Sequence, residues 1–298
     1  MSLPWVRTRA RYELRDLVEV VLVPGLAALL PWQVTIRVFQ RLAKVSWLYR
    51  HPSNQALVEA RKRGWAPDPD GWLWGRKMTT LVDHADHYLA RTRSDSWMDR
   101  YLDVQGQWPQ PGEAALLLTF HWGAGMWALR HAHRAGLTGH MLVAPLEGGH
   151  FAGRAVMHRY IKARTNSIAL ALKAPFFDVA HDMRALFKAL KRNEQILAVI
   201  DVPADQVSVS QPLTVMGMQA RVPTALLRLA VERSIPVYIY VTGVRMDTGR
   251  RFLRIRRAES NAGLEALVKD VFQELEAIVA ENPSAWHFWS EAERFFRG

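Results

Sequence analysis

The stretch Ala115–Arg130 constrains the fold of this chain more than any other. Ala115-Leu116-Leu117-Leu118-Thr119-Phe120 is short, apolar and bounded upstream by Pro109, Pro111 and Gly112, the pattern of a strand buried on both faces of a parallel sheet. His121 follows at its carboxyl end, then Gly123 and Gly125, then a helix predicted over Met126–Ala135. In open α/β sheets, ligands bind at the carboxyl ends of the strands. An imidazole placed there can act as a general base near neutral pH. The two glycines permit a tight turn and are expected to leave amides, that of Gly123 among them, open to a negatively charged substrate group.

The pattern beyond His121 alternates between strand and helix. Strands are expected at Met141–Ala144, Ile168–Leu172, Ile196–Ile200, Val237–Thr242 and Arg251–Arg256. Helices are expected near Gly153–Ala163 and over Val179–Lys191, Thr224–Glu232 and Leu264–Ala280. The reading is an α/β fold with a mostly parallel sheet flanked by helices over residues 109–298, preceded by a mainly helical region over residues 1–108. No repeat or low-complexity segment interrupts it.

Composition narrows the chemistry. The chain has 298 residues and no cysteine, which excludes disulfides, thiolate zinc sites and a cysteine nucleophile. Neither a G-x-S-x-G elbow nor a P-loop occurs. A net charge of +11 favours an anionic partner such as nucleic acid, anionic lipid or an acidic carrier protein. The basic run Arg250-Arg251 with Arg254, Arg256 and Arg257 is one candidate contact. The apolar run Val20–Trp32 is too short for a standard span and is broken by Pro24-Gly25 and Pro31. Flanked by Arg7, Arg9, Arg11 and Arg15 before it and Arg37, Arg41 and Lys44 after it, it reads as an interfacial or marginally inserted helix pair, with a buried helical hairpin as the alternative. Two further patterns weigh less. Asp83-His84-Ala85-Asp86-His87 imitates a metal site at helical spacing but is expected to be an exposed helix face. Gly123-Ala124-Gly125-Met126-Trp127-Ala128 satisfies a loose dinucleotide fingerprint, leaving an NAD(P)-dependent Rossmann oxidoreductase as an alternative.

His121-Trp122-Gly123 resembles the signature of the lipid A lauroyl/myristoyl acyltransferases, within the lysophospholipid acyltransferase superfamily, in which a histidine is followed by an acid. The acid's place is held here by Met126. Downstream similarity runs in order over roughly residues 110 to 296. It includes Arg159 and Arg164 ahead of Ile168-Ala-Leu-Ala-Leu, a segment closing on Asp201, and the ending NPSAWHFWSEAERF. The resemblance implies a glycerolipid acyltransferase-like fold with an amino-terminal membrane-associating region, at the cytoplasmic face of an inner membrane. It also implies transfer of a fatty acyl chain from acyl carrier protein or acyl-CoA to a hydroxyl of a lipid or glycolipid acceptor. No cofactor, metal or nucleic acid is called for. His121 is the expected base, and Glu147, after the strand Met141–Ala144, is the candidate replacement for the missing acid. Arg164 and Arg159 are candidates for a substrate phosphate, and Asp201 for a structural or site-shaping role near the acceptor. A non-catalytic descendant that binds acyl or lipid groups is the other reading that Met126 leaves open.

Overall fold

A computed structural model describes residues 3–144, 153–179, 181–259 and 263–297. Its amino-terminal region is helical: α1 (Leu3–Asp16), a π-helical turn (Leu17–Leu22), α2 (Val23–Leu29), α3 (Trp32–Leu42), α4 (Arg50–Lys62), α5 (Pro69–Thr92) and α6 (Asp95–Tyr101). The long α5 starts where the Asp68 carboxylate caps the Gly71 amide and Pro69 takes the first helical position. Then follow β1 (Leu102–Gln105), β2 (Ala115–Thr119), α7 (Met126–Arg134), β3 (Gly139–Val143), α8 (Ala155–Leu172), β4 (Phe177–Asp178), α9 (Met183–Lys191) and β5 (Gln195–Val199). The chain continues through β6 (Ser210–Val215), β7 (Met218–Pro223), α10 (Ala225–Arg233), β8 (Val237–Val244), β9 (Arg251–Arg257), α11 (Leu264–Glu281) and α12 (Ala292–Phe295).

Seven strands form one sheet in the order β1-β9-β8-β2-β5-β3-β4, and β6 and β7 form a separate hairpin. Strands β8, β2, β5, β3 and β4 are parallel, while β9 runs antiparallel to β8 and carries β1 beside it. The all-apolar β2 is central because both of its faces are covered. Leu116 and Leu118 pack with α10 and α11 on one side, and Ala115 and Leu117 with α5 and α7 on the other. The fold is therefore α/β with a mostly parallel sheet flanked by helices.

Several expectations change. Ile168–Leu172 is the last stretch of α8, not a strand. Alanine and leucine propagate a helix readily, and Ser167 and Ala171, one turn apart, face inward from it. The strand beside β3 is instead the short β4. The run Val20–Trp32 turns much of its surface inward: Val20, Pro24, Ala27 and Trp32 are buried, while Leu22 and Leu29 are exposed. No helix among the described residues is long and apolar enough to cross a membrane. The acid–histidine cluster on α5 is not an exposed face either. Asp86 and His87 are buried, Asp86 against Arg251 and His87 against Ser167 Oγ at 3.2 Å.

Arg251 and Asp86 join the edge region of the sheet to α5, with the guanidinium over the Trp32 ring at 4.3 Å and toward Trp127 at 5.8 Å. A buried pair broken on one side leaves an unbalanced charge in a medium that solvates it poorly. Asp86→Ala is therefore expected to cost about 3–5 kcal/mol in urea unfolding. Asp99→Ala, which breaks the exposed pair with Arg134, is expected to cost only about 0–1 kcal/mol.

Candidate active site

Strand register brings the two central groups together. β2 and β5 pair in parallel from Ala115 opposite Gln195 to Thr119 opposite Val199, and the Ile200 amide extends the ladder to Thr119 O at 3.0 Å. The same offset carries His121 level with Asp201. His121 Nδ1 lies 2.9 Å from Asp201 Oδ1, and the His121 backbone amide donates to both carboxylate oxygens at 2.9 and 3.0 Å. The carboxylate is completely buried, whereas the imidazole is 32% exposed. A carboxylate only accepts, so Nδ1 carries a proton, and in the neutral ring the lone pair is on Nε2. Among the described residues Nε2 has no hydrogen-bond partner. α7 leaves β2 on one face of the sheet and α10 follows β5 on the other, which makes the gap between these strand ends a topological switch point.

The tryptophan-rich carboxyl segment fastens this pair. Trp286 Nε1 donates to Asp201 Oδ2 at 2.7 Å, and Trp286 forms an isolated antiparallel bridge with Trp122. The His287 amide donates to His121 O at 2.6 Å, the Gly123 amide donates to Ala285 O at 3.1 Å, and the Phe288 ring stacks on the imidazole at 4.0 Å. Gly123 has φ +71°, and a Cβ there would sit 2.1 Å from Thr242 O. Its expected role is thus corrected: the residue allows β2's end to approach β8, and its amide is already engaged. The Ala124 amide likewise donates to Thr242 O at 3.3 Å. Neither of these two amides is left for a pyrophosphate. The first-turn amides of α7 begin at Met126, beyond these two.

A polar face of α5 lies behind the site. Arg76 is buried and donates to Trp286 O at 2.8 Å and His287 O at 3.2 Å. Burial pulls its guanidinium down to about 10, against the opposing charge of Asp83. Burial, reinforced by Arg76, also lowers His287 to about 4, so this ring is neutral and donates from Nε2 to Gly123 O at 2.7 Å. Arg164 binds Asp83 Oδ1 at 2.7 Å and Asp83 O at 2.9 Å. Its guanidinium loses solvent on burial, yet the Asp83 charge holds it firmly protonated. Arg164 is therefore engaged in joining α8 to α5 rather than free for a phosphate. Arg159 is exposed on the outer side of α8, with no ion-pair partner among the described residues. Glu147 lies outside the described residues. Asp201, which the sequence reading placed near the acceptor and did not pair with His121, is the described carboxylate on the imidazole. The basic strand is also locally neutralised: Arg250 pairs with Asp103, Arg254 with Glu281, and Arg256 with Asp270 and Glu274.

The chain matches no known protein-family profile, and no curated protein is similar to it.

Three histidines around the site are held neutral mainly by burial: His84 at about 3, and His87 and His287 at about 4, against an ordinary value of 6.5. Between those limits the unfolded chain takes up protons that the folded chain refuses. Stability from these groups is therefore complete above pH 6.5 and is lost as pH falls toward about 4. The thermal unfolding midpoint should drop across that window, and His87→Gln should make the drop shallower. A midpoint flat with pH would contradict neutral burial.

Proposed function

We propose that the chain is an acyltransferase that moves a fatty acyl group from a thioester to a hydroxyl of a lipid or glycolipid acceptor. The observation that carries this reading is the His121–Asp201 pair at the switch point of the sheet. It supplies, from an adjacent strand, the carboxylate that Met126 cannot offer. That supports an enzyme over a binding descendant, because a buried carboxylate held by a tryptophan N–H and two protons of the histidine is the arrangement that orients a base.

The chemistry follows from the geometry. The acceptor hydroxyl gives its proton to His121 Nε2 while its oxygen forms a bond to the thioester carbonyl carbon. Asp201 stabilises the imidazolium, and the first-turn amides of α7 are the proposed donors to the oxyanion. The intermediate collapses to the ester as the C–S bond breaks, and the thiolate takes the proton back from Nε2. His287, neutral and bonded to the turn, keeps a second positive charge away from the imidazolium. Acyl carrier protein or acyl-CoA is the proposed donor, with no metal or redox cofactor required by these steps. The cytoplasmic face of an inner membrane is the proposed location.

With a long-chain acyl thioester and a lipid acceptor, His121→Ala should abolish thiol release and ester formation. Asp201→Asn should lower the rate by a factor on the order of 10⁴, since the amide fixes the wrong tautomer. Glu147→Gln should stay within about a few-fold of the parent, because Nδ1 has one proton and Asp201 accepts it. Parent rates in Asp201→Asn would refute the mechanism.

A further inference from the structure

We propose that the groove between α1 and α4 is the surface on which this protein lies against an anionic lipid bilayer. The groove has a volume of about 980 Å³. Its apolar lining comes from Tyr12, Leu14, Val18, Trp47 and Val58, and Leu14, Trp47 and Val58 are all more than half exposed, at 62%, 54% and 52%. Arg11, Arg15, Arg50 and His51 line it as well, and no carboxylate is among the lining residues. Arg15 is paired with Asp16 and Glu19, whereas Arg11 and Arg50 have no ion-pair partner among the described residues. Apolar side chains left in water beside such positive charge match the acyl–headgroup boundary of a negatively charged leaflet.

The groove is built rather than incidental. Glu19, buried beneath it, accepts from the Tyr49 amide at 2.6 Å, and Tyr49 Oη donates to Glu19 O. This fixes α4 against the π-helical turn. On the inner side of α1, Glu13 accepts from the Ala155 and Val156 amides at 2.6 and 2.8 Å, and Asp16 binds Arg154 at 2.9 and 2.6 Å. The acids of α1 thus face the protein, and Arg11 and Leu14 face outward. Outside the groove, Leu22 at 54% and Leu29 at 80% are also exposed. Indole and phenol rings such as Trp47 and Tyr12 favour the interfacial zone, and no described helix is both long and apolar enough to cross a bilayer. The docking surface thus centres on α1 and α4 and not on the Val20–Trp32 run, much of which the protein itself buries. The lipid acceptor of the proposed function supplies the reason for such docking, and in that respect the inference rests on that reading.

Full-length protein is sedimented with vesicles of phosphatidylcholine, with and without phosphatidylglycerol. Binding is expected with phosphatidylglycerol and should weaken as salt is raised. Arg11→Glu and Arg50→Glu should each weaken it by at least about fivefold, the value of one basic residue at such a surface. Leu14→Ser and Trp47→Ser should weaken it at every salt concentration. Because the chain has no cysteine, Trp47→Cys gives a unique thiol, and a polarity-sensitive fluorophore on it should shift to the blue on vesicle binding. His121→Ala should bind vesicles like the parent, so loss of activity and loss of docking are read separately. Parent-like binding by the groove variants, a fluorophore that stays in water, or a Leu14→Ser effect on oligomer mass in place of vesicle binding would overturn the proposal. The last result would assign the groove to a second copy of the chain.

Discussion

The buried Asp201 carboxylate organises the region that distinguishes this molecule. It accepts from the ring and amide of His121 and from the indole of Trp286. A carboxylate removed from water is tolerated when donors replace the solvent, and these donors come from the end of β2 and the carboxyl-terminal segment. One anion therefore ties together parts of the chain separated by 80 and 85 residues. The orientation of the imidazole is a by-product of satisfying that charge.

The helices around it extend the same logic. α5 presents Arg76 to the carbonyls of the closing segment, Asp83 to Arg164 and Asp86 to Arg251. α5 is thus a polar spine against which both the site and the far edge of the sheet are set. α1 and α4 are held to this body through Glu13, Asp16 and Glu19. Their outer surfaces keep arginines and large apolar groups in solvent, so the site and the arginine-lined groove belong to one connected polar framework.

The hairpin β6–β7 shows why part of the fold escaped sequence reading. Its two-residue turn, Met216-Gly217, has φ of +52° and +74° at its two positions, the backbone of a primed hairpin turn, but methionine replaces the usual asparagine or aspartate. The left-handed methionine is supported from outside the hairpin, where Glu276 on α11 accepts its amide hydrogen bond. Local propensity carries no trace of a partner 60 residues away. The edge strand β1 was hidden likewise, since Leu102–Gln105 gains its identity from pairing with β9.

The run Ala115–Phe120, the glycines after His121 and the helix at Met126 determined the strand, the turn and the placing of a histidine at a sheet edge, because those depend on local sterics and on burial of an all-apolar segment. They could not determine the histidine's partner. Met126, five positions after His121 at the start of α7, sits where an acid was expected, and Glu147 is the nearest acid after the next predicted strand. Asp201 is selected by strand order: β5 inserts between β2 and β3, and parallel register then places residues of equal offset side by side. That order is set by the packing of helices on both faces of the sheet, a property of the whole chain and not of any segment in it. The same holds for Arg164 and Arg251, whose carboxylate partners lie across the helix–helix and helix–sheet interfaces, where desolvation decides which charges must meet.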